Sequence, residues 1–344
     1  MTQQIHSLLM VAVAALLSGL MIAARGLDTD ASPAPLDAYD QARAMGRGVN
    51  VLGYDPIWND PQQGRFRPEH FRAIARGGFQ TVRMNLQPWS HMDADERLDP
   101  QWLATLDRLV TAATDNGLTV VIDDHDDEHC VESIALCESR LTAFWSQIAP
   151  HFAKAPDKVV FELLNEPHGK LDDAAWNRLL DIELSVVRET NPTRNVVIGP
   201  TAWNSFDHLP GLRLPETDRH IIVTVHYYTP MEFTHQGAAW VAQYAGLKDV
   251  HWGTDAEIAR VGRDFDTIAA WSKAHHRPIF LGEFGAYDKA DMASRVRYTS
   301  TVARAAEARG WAWAYWQFDS DFIAWDMQRN AWVAPIHKAL IPGG

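Results

Sequence analysis

The feature that most constrains this chain is an alternation of two periods. Short, apolar, β-branched runs recur eight times, with segments of helical period between them. Strands are expected near Gly48–Leu52, Thr81–Asn85, Thr119–Asp123, Val159–Leu164, Val196–Gly199, Ile221–His226, Ile279–Gly282 and Trp311–Gln317. Helices are expected over Gln101–Asp115, Leu141–Phe152, Ala174–Glu189, Ala256–Ala274 and Ala293–Ala308. Strands covered on both faces read as continuous apolar runs, which is the signature of a parallel sheet. Eight strand-then-helix units in 344 residues predict an α/β chain folded as one (β/α)₈ TIM barrel. A doubly wound open sheet would carry a glycine-rich phosphate loop after its first strand, whereas Gly46-Arg47-Gly48 precedes that strand.

The ends of the chain follow different chemistry. The first 24 residues lack Lys, Arg, Asp and Glu, and Leu8 to Ala24 is an apolar run of 17. Residues 1–24 are therefore expected to be a cleaved export signal, with an uncleaved anchor facing the exterior as the alternative. Residues 25–44, polar and Pro-containing, are expected to be a linker, and the barrel domain to span 45–344. The chain ends soon after its last helix, so no attached carbohydrate-binding module is expected. If the protein is secreted or periplasmic, Cys130 and Cys137 enter a compartment that permits pairing; their spacing alone does not establish the bond. A net charge of −13 argues against nucleic acid or an anionic membrane surface as partner. A monomer is expected, touching a membrane only if the first segment is retained. Fourteen Trp exceed what a core of this size needs, and exposed rings offer flat apolar platforms of the kind sugar faces stack on.

A barrel places its chemistry at the C-terminal ends of its strands. There the sequence sets Arg83 after strand 2, His125 after strand 3, Asn165 and Glu166 after strand 4, His226 and Tyr228 after strand 6, Glu283 after strand 7 and Trp316 after strand 8. Glu166 in FELLNEP and Glu283 in FLGEFG each close an apolar run with no basic neighbour in sequence. Either alone reads equally as a structural ion-pair carboxylate; two at one mouth match what glycosidic cleavage requires, one protonated group and one ionised. Arg83 and Tyr228 are suited to holding one carboxylate ionised, His226 or His125 to tuning the other or orienting substrate, and Trp316 to lying under a sugar ring.

In this order over an eight-stranded barrel, Arg83, His125, Asn165-Glu166-Pro167, His226-Tyr227-Tyr228, Glu283 within Gly-Glu-Phe-Gly and Trp316 resemble glycoside hydrolase family 5, the cellulase family of the large retaining barrel clan. The resemblance runs from Met45 to the C-terminus, and HYYTPMEFTHQGAAWV at 226–241 is similar to the segment after strand 6 in bacterial endo-β-1,4-glucanases. It implies Glu166 as acid/base, Glu283 as nucleophile, and Asn165 as donor to the sugar 2-hydroxyl. It further implies Arg83 and Tyr228 as supports of the nucleophile, His226 as partner of the acid/base, His125 as a hydroxyl contact and Trp316 as the platform. Retaining double displacement follows, with the carboxyl groups about 5 to 5.5 Å apart and neither metal nor other cofactor required.

The segment VVIDDHDDEHC, residues 120–130, looks at first like a metal site. Successive side chains of an extended stretch point to opposite sides, so it offers fewer converging ligands than its composition suggests. Only His125 is expected to face the mouth. Asp126 stands where similar cellulases carry a second histidine, placing an acceptor and a charge near the neighbouring subsite. Asp127, Glu128 and His129 read as loop surface. Glu162 is read as a buried structural carboxylate paired with a base such as Arg83. Among Phe233, Trp240, Tyr244 and Trp252 in the long connection after strand 6, Trp240 is the expected substrate contact. Trp89, His91, Trp203 and Asn204 are weaker candidates, and Asn50 with Trp58 is expected to line a distal subsite. The expected substrate is a β-glucan polymer or oligosaccharide cleaved endo at β-1,4 linkages. Mannanase, xyloglucanase and β-1,3-glucanase activity remain open on the same machinery. A carbohydrate-binding barrel without catalysis and a metal-dependent hydrolase are the readings from other classes.

Overall fold

A computed structural model describes residues 35–343. Among them, eight parallel strands close into a barrel in sequential order: β1 Arg47–Val51, β2 Thr81–Leu86, β3 Thr119–Asp124, β4 Val159–Glu162, β5 Val196–Ile198, β6 Ile221–Tyr227, β7 Ile279–Phe284 and β8 Ala312–Tyr315, with β1 pairing β8 to complete the ring. The expected helices form as Pro100–Asp115, Ile134–His151, Asp173–Thr190, Asp255–His275 and Met292–Glu307. Their starts are set by local chemistry. Asp99 accepts from Gln101 N ahead of Pro100, and Thr254 and Glu257 form a reciprocal capping box.

Two apolar regions hold the barrel. The larger lies between the outward side chains of the strands and the surrounding helices. The smaller fills the lower barrel interior with Val121, Val160, Val197, Ile222, Phe280, Ala312 and Ala314, and is closed from below by Ala38, Ala42 and Met45 of a helix, α1, spanning Ala38–Met45. This corrects the expected 25–44 linker. Its last third is structured, because Ala38, Ala42 and Met45 recur at helical spacing and plug the barrel floor, while Asp37 caps the helix by accepting from Asp40 N. The export segment expected over residues 1–24 lies outside the described residues. No helix among the described residues is long and apolar enough to cross a membrane.

Above that floor the interior turns polar. Asn50, Arg83, Asn85, Asp123, Glu162, Thr224 and His226 are all buried near the upper strand ends. A stability-driven barrel would fill this layer with branched apolar side chains, so the polar layer marks where stability is given up for chemistry.

Candidate active site

Arg83 organises the polar layer. Its Nε and Nη2 donate to the two oxygens of Glu162 at 2.7 and 2.9 Å, a bidentate pair. Nη1 donates to Glu283 Oε1 at 2.8 Å and Asn50 Oδ1 at 3.0 Å; Nη2 donates to Asn165 Oδ1 at 2.8 Å and lies 3.0 Å from Asp123 Oδ2. Tyr228 Oη donates to Glu283 Oε2 at 2.8 Å. Both oxygens of Glu283 therefore accept from donors, an arrangement suited to a carboxylate.

Glu166 sits in a different environment. Its φ of 39° lies in the left-handed region that a non-glycine residue adopts at a cost, a strain typical of functional positions. Burial, partly offset by His125 and Arg83, raises its pKa to about 7. Oε1 lies 2.6 Å from His226 Nδ1, and Asn204 Nδ2 lies 3.2 Å from the ring's Nε2. Burial lowers His226 to about 3, so the ring is neutral. With Asn204 donating to Nε2, the single ring proton rests on Nδ1 and is donated to Glu166. A register shift between Val225 and His226 turns this histidine toward both carboxylates, with Glu283 Oε2 3.6 Å from Nδ1.

One oxygen each of Glu166 and Glu283 and one ring nitrogen of His226 lie within 4.8 Å of one another. The two carboxyl groups thus bring at least one pair of oxygens closer than the roughly 6.5 to 9.5 Å spacing that leaves room for an inverting water. A cation is a poor occupant here, since the Arg83 guanidinium already holds Glu283 Oε1. A second cluster of ligand-type side chains, Asp127, Glu128 and His168, stands nearby.

His125 Nδ1 donates to Asp123 Oδ2 at 2.7 Å. Burial disfavours the charged ring, but Asp123 outweighs it and raises His125 to about 9. The resulting imidazolium stacks on Trp316 with ring centroids 5.5 Å apart and planes 7° from parallel, a cation against an indole face. Tyr54, 56% exposed on the connection after β1, meets Trp316 edge-on at 6.4 Å.

Glu166, Glu283, Arg83, His125, Asn165, His226, Tyr228 and Trp316 are thus brought together. The acidic segment after β3 differs from its expected arrangement. Asp126 is 4% exposed and its Oδ2 accepts from Trp89 N at 2.8 Å, so the carboxylate anchors the loop after β2 instead of standing as a free acceptor for sugar. Burial raises it to about 6, and the neighbouring Asp124, which accepts from the Trp89 indole at 3.0 Å, is pushed well above the carboxylate range by burial and by Asp126. Asp127 is 6% exposed, opens a short helix Asp127–Glu132 and accepts from Asn165 Nδ2 at 2.9 Å, so the loop-surface reading fails for it; Glu128 and His129 are exposed, but on this helix and not on a loop. Cys130 and Cys137 are bonded and buried beneath this segment.

Asn50 and Trp58 do not line a subsite. Asn50 is fully buried and bonds Arg83 and Gly282 O, and Trp58 packs on Trp102 while donating to Leu52 O. Phe233, Tyr244 and Trp252 are buried, whereas Trp240 is 54% exposed and rests on Tyr287. Trp203, 55% exposed, stacks on His168 at 4.5 Å, and Ala202, Trp203 and Asn204 all take positive φ. That left-handed run turns Trp203 outward and Asn204 inward to His226. Trp203, His168, Thr201, Asp173 and His208 line a groove of 420 Å³. Asp123, Asp127, Asn85 and Tyr54 were not singled out from sequence. Strand parity with His125 was the available signal for Asp123, while nothing local distinguishes Asp127 from its acidic neighbours.

Comparison with known proteins gives a consistent result. Endoglucanase H of Acetivibrio thermocellus is 29% identical over 326 residues, covering 91% of this chain and 34% of its own length, so the chain spans about a third of that relative. Thermotoga maritima Cel5A, solved in complex with cellobiose, superposes with a TM-score of 0.85 at 36% identity, covering 89% of this chain and 100% of that one. The cellulose synthase subunit Z of Clostridioides difficile superposes with a TM-score of 0.82 at 31% identity, covering 86% and 99%. The family model for Cellulase (glycosyl hydrolase family 5) matches residues 42–321. With the closed barrel and the polar layer at its strand ends, that match establishes that the chain belongs to glycosyl hydrolase family 5.

Proposed function

We propose that this protein is an endo-acting glycoside hydrolase that cleaves β-1,4-linked glucan with retention of anomeric configuration. The observation that carries the reading is the contrast between two neighbouring carboxyl groups. Glu283 is held by two donors, Arg83 and Tyr228, while Glu166 is raised to about 7 beside a neutral histidine. Protonated Glu166 gives its proton to the leaving oxygen as Glu283 attacks the anomeric carbon, so the glycosidic C–O bond breaks as the glycosyl–enzyme ester forms. Ionised Glu166 then takes a proton from water, whose oxygen displaces Glu283 and restores both groups. Asn165 donates to the 2-hydroxyl, and charged His125 donates to another hydroxyl of the same sugar.

Exposed rings on both sides of the reacting pair support endo action. Tyr54 extends from Trp316 on one side, and Trp203 extends from His168, two residues beyond Glu166, on the other. Similarity to endoglucanases of Acetivibrio thermocellus and Clostridium cellulovorans supports a glucan as the substrate. The test is a polysaccharide panel with wild type, Glu166→Ala and Glu283→Ala, following product anomers by NMR. Initial products of retained configuration from β-1,4-glucan and loss of activity in both variants are expected; inverted products or an active Glu283→Ala enzyme would overturn the mechanism.

Export is part of the same reading, supported by the Leu8–Ala24 run and by the Cys130–Cys137 bond, which needs an oxidising compartment. Cell fractionation with N-terminal sequencing separates a cleaved signal from a retained anchor.

A further inference from the structure

We propose that Asp127 is a positioning residue that fixes the amide of Asn165 for the sugar 2-hydroxyl, an inference that rests on the glycosidase reading above. The side chain of Asn165 is clamped at both ends. Its Oδ1 accepts from Arg83 Nη2 at 2.8 Å, and its Nδ2 donates to Asp127 Oδ1 at 2.9 Å. Arg83 has only donors to offer, and a carboxyl oxygen without its proton only accepts, so the two contacts leave one orientation of the amide. One Nδ2 hydrogen is spent on Asp127. The second projects from the same planar group at a direction fixed by the first, which makes it a preset donor instead of a freely turning one.

The clamp crosses elements. Asn165 follows β4, Arg83 lies on β2, and Asp127 opens the short helix after β3. That helix is held at its other end by the Cys130–Cys137 bond, and Asp127 Oδ2 lies 3.7 Å from His168 Nδ1, whose ring also contacts Glu166 O at 2.8 Å. Asp127 therefore ties the donor to the sugar and the loop carrying Glu166 to one fixed point. Burial raises the Asp127 carboxyl well above its ordinary range, and its neutral form still offers a carbonyl oxygen to Asn165. The contact thus does not depend on ionisation.

The experiment compares two substrates, a nitrophenyl β-cellobioside and its analogue lacking the 2-hydroxyl on the sugar that bears the leaving group. The ratio of kcat/KM between them reads the 2-hydroxyl contribution, and a general loss of folding or of acid/base function moves both substrates equally. In Asp127→Ala the ratio should fall on the order of tenfold toward that of Asn165→Ala, and the double variant should lose little more than Asn165→Ala alone. If the alanine variant does not fold, Asp127→Ser, too short to reach Asn165, is read the same way. A wild-type ratio retained in the Asp127 variant while Asn165→Ala loses it would overturn the inference. Absence of wild-type activity on either cellobioside would instead overturn the glycosidase reading.

Discussion

A carboxyl held neutral by burial destabilises the fold whenever solvent conditions ionise it, and Glu166, the acid of the proposed mechanism, makes that cost measurable. Its pKa rises from an ordinary 4.5 to about 7 in the folded chain, chiefly through burial. The folded state binds this proton more tightly than the unfolded one, so stability is highest below pH 4.5 and is lost as pH rises to about 7. The loss is on the order of 3 kcal/mol by about pH 8 and under ~1 kcal/mol at about pH 5. Glu166→Gln removes the titration while keeping a carbonyl oxygen to accept from His226 Nδ1, which lies 2.6 Å from Oε1. The variant should therefore be catalytically crippled on polysaccharide yet more stable than wild type at about pH 8, by up to ~3 kcal/mol, and nearly equal to it at about pH 5. Urea unfolding of both proteins at the two pH values is the assay, since other buried carboxyls such as Glu162 and Glu183 are common to both and cancel in the difference. The kinetic counterpart is a wild-type kcat/KM that falls above about pH 7. A Gln variant less stable than wild type at pH 8, or a stability difference independent of pH, would refute the assignment of a buried, neutral acid.

Tyr228→Phe removes one of the two donors to Glu283 without opening a cavity; kcat/KM should fall by roughly 10- to 100-fold with Tm unchanged, and a loss of less than about twofold would show that Arg83 alone suffices. Asp123→Asn should bring the His125 titration, followed by imidazole NMR, from about 9 to below 6.5, because Asp123 is the charge that outweighs burial; a ring still titrating near 9 would contradict this. The charged ring contributes stability fully present below pH 6.5 and lost as pH rises through about 9, and in Asp123→Asn that slope should shrink. Gly282→Ala would place a Cβ 2.5 Å from Thr224 Oγ1 and 2.9 Å from His226 Nε2, so it should cost about 1–3 kcal/mol and displace His226 from Glu166; an unchanged pH profile would show that the histidine had not moved.

The barrel was legible because its strands are apolar on both faces, which makes each run conspicuous, and because helices such as Pro100–Asp115 carry a capping Asp and a first-turn Pro. The eight residues now gathered at the mouth were legible because parallel strands deliver their last residues to one rim. What escaped was set by partners distant in sequence. Asp127 is indistinguishable from Glu128 by composition or local period, and only the approach of Asn165 from the next strand buries one and leaves the other in solvent. Asn50 was assigned to sugar because it ends a strand, yet Arg83 and Gly282 O consume its amide. Helix α1 was hidden in a segment that reads as linker because its apolar face is three residues wide and meaningful only beneath a barrel floor.

The asymmetry between the two glutamates follows from a local balance of charge. Two cations are fixed in the polar layer, Arg83 and the imidazolium of His125. Asp123 touches both, at 3.0 and 2.7 Å, and Glu283 takes an Arg83 donor together with the Tyr228 hydroxyl. Those two carboxylates neutralise the two cations. Each further negative charge in the same buried volume would be uncompensated, and burial of such a charge is resolved by proton uptake. Glu162 is raised to about 7 despite its bidentate contact with Arg83, Glu166 is raised to about 7, and burial pushes Asp127 and Asp124 well above the ordinary carboxylate range. Glu166 is thus raised to about 7 chiefly by burial, which His125 and Arg83 offset only in part because Asp123 and Glu283 already pair with them. Asp123→Asn removes one negative charge but also the His125 charge that Asp123 sustains, and because His125 opposes the Glu166 proton more strongly than Asp123 supports it, the Glu166 pKa and the alkaline limb of kcat/KM should move to higher pH. An alkaline limb unmoved or shifted to lower pH, while the His125 titration does fall, would show that the His125 charge does not weigh on the acid.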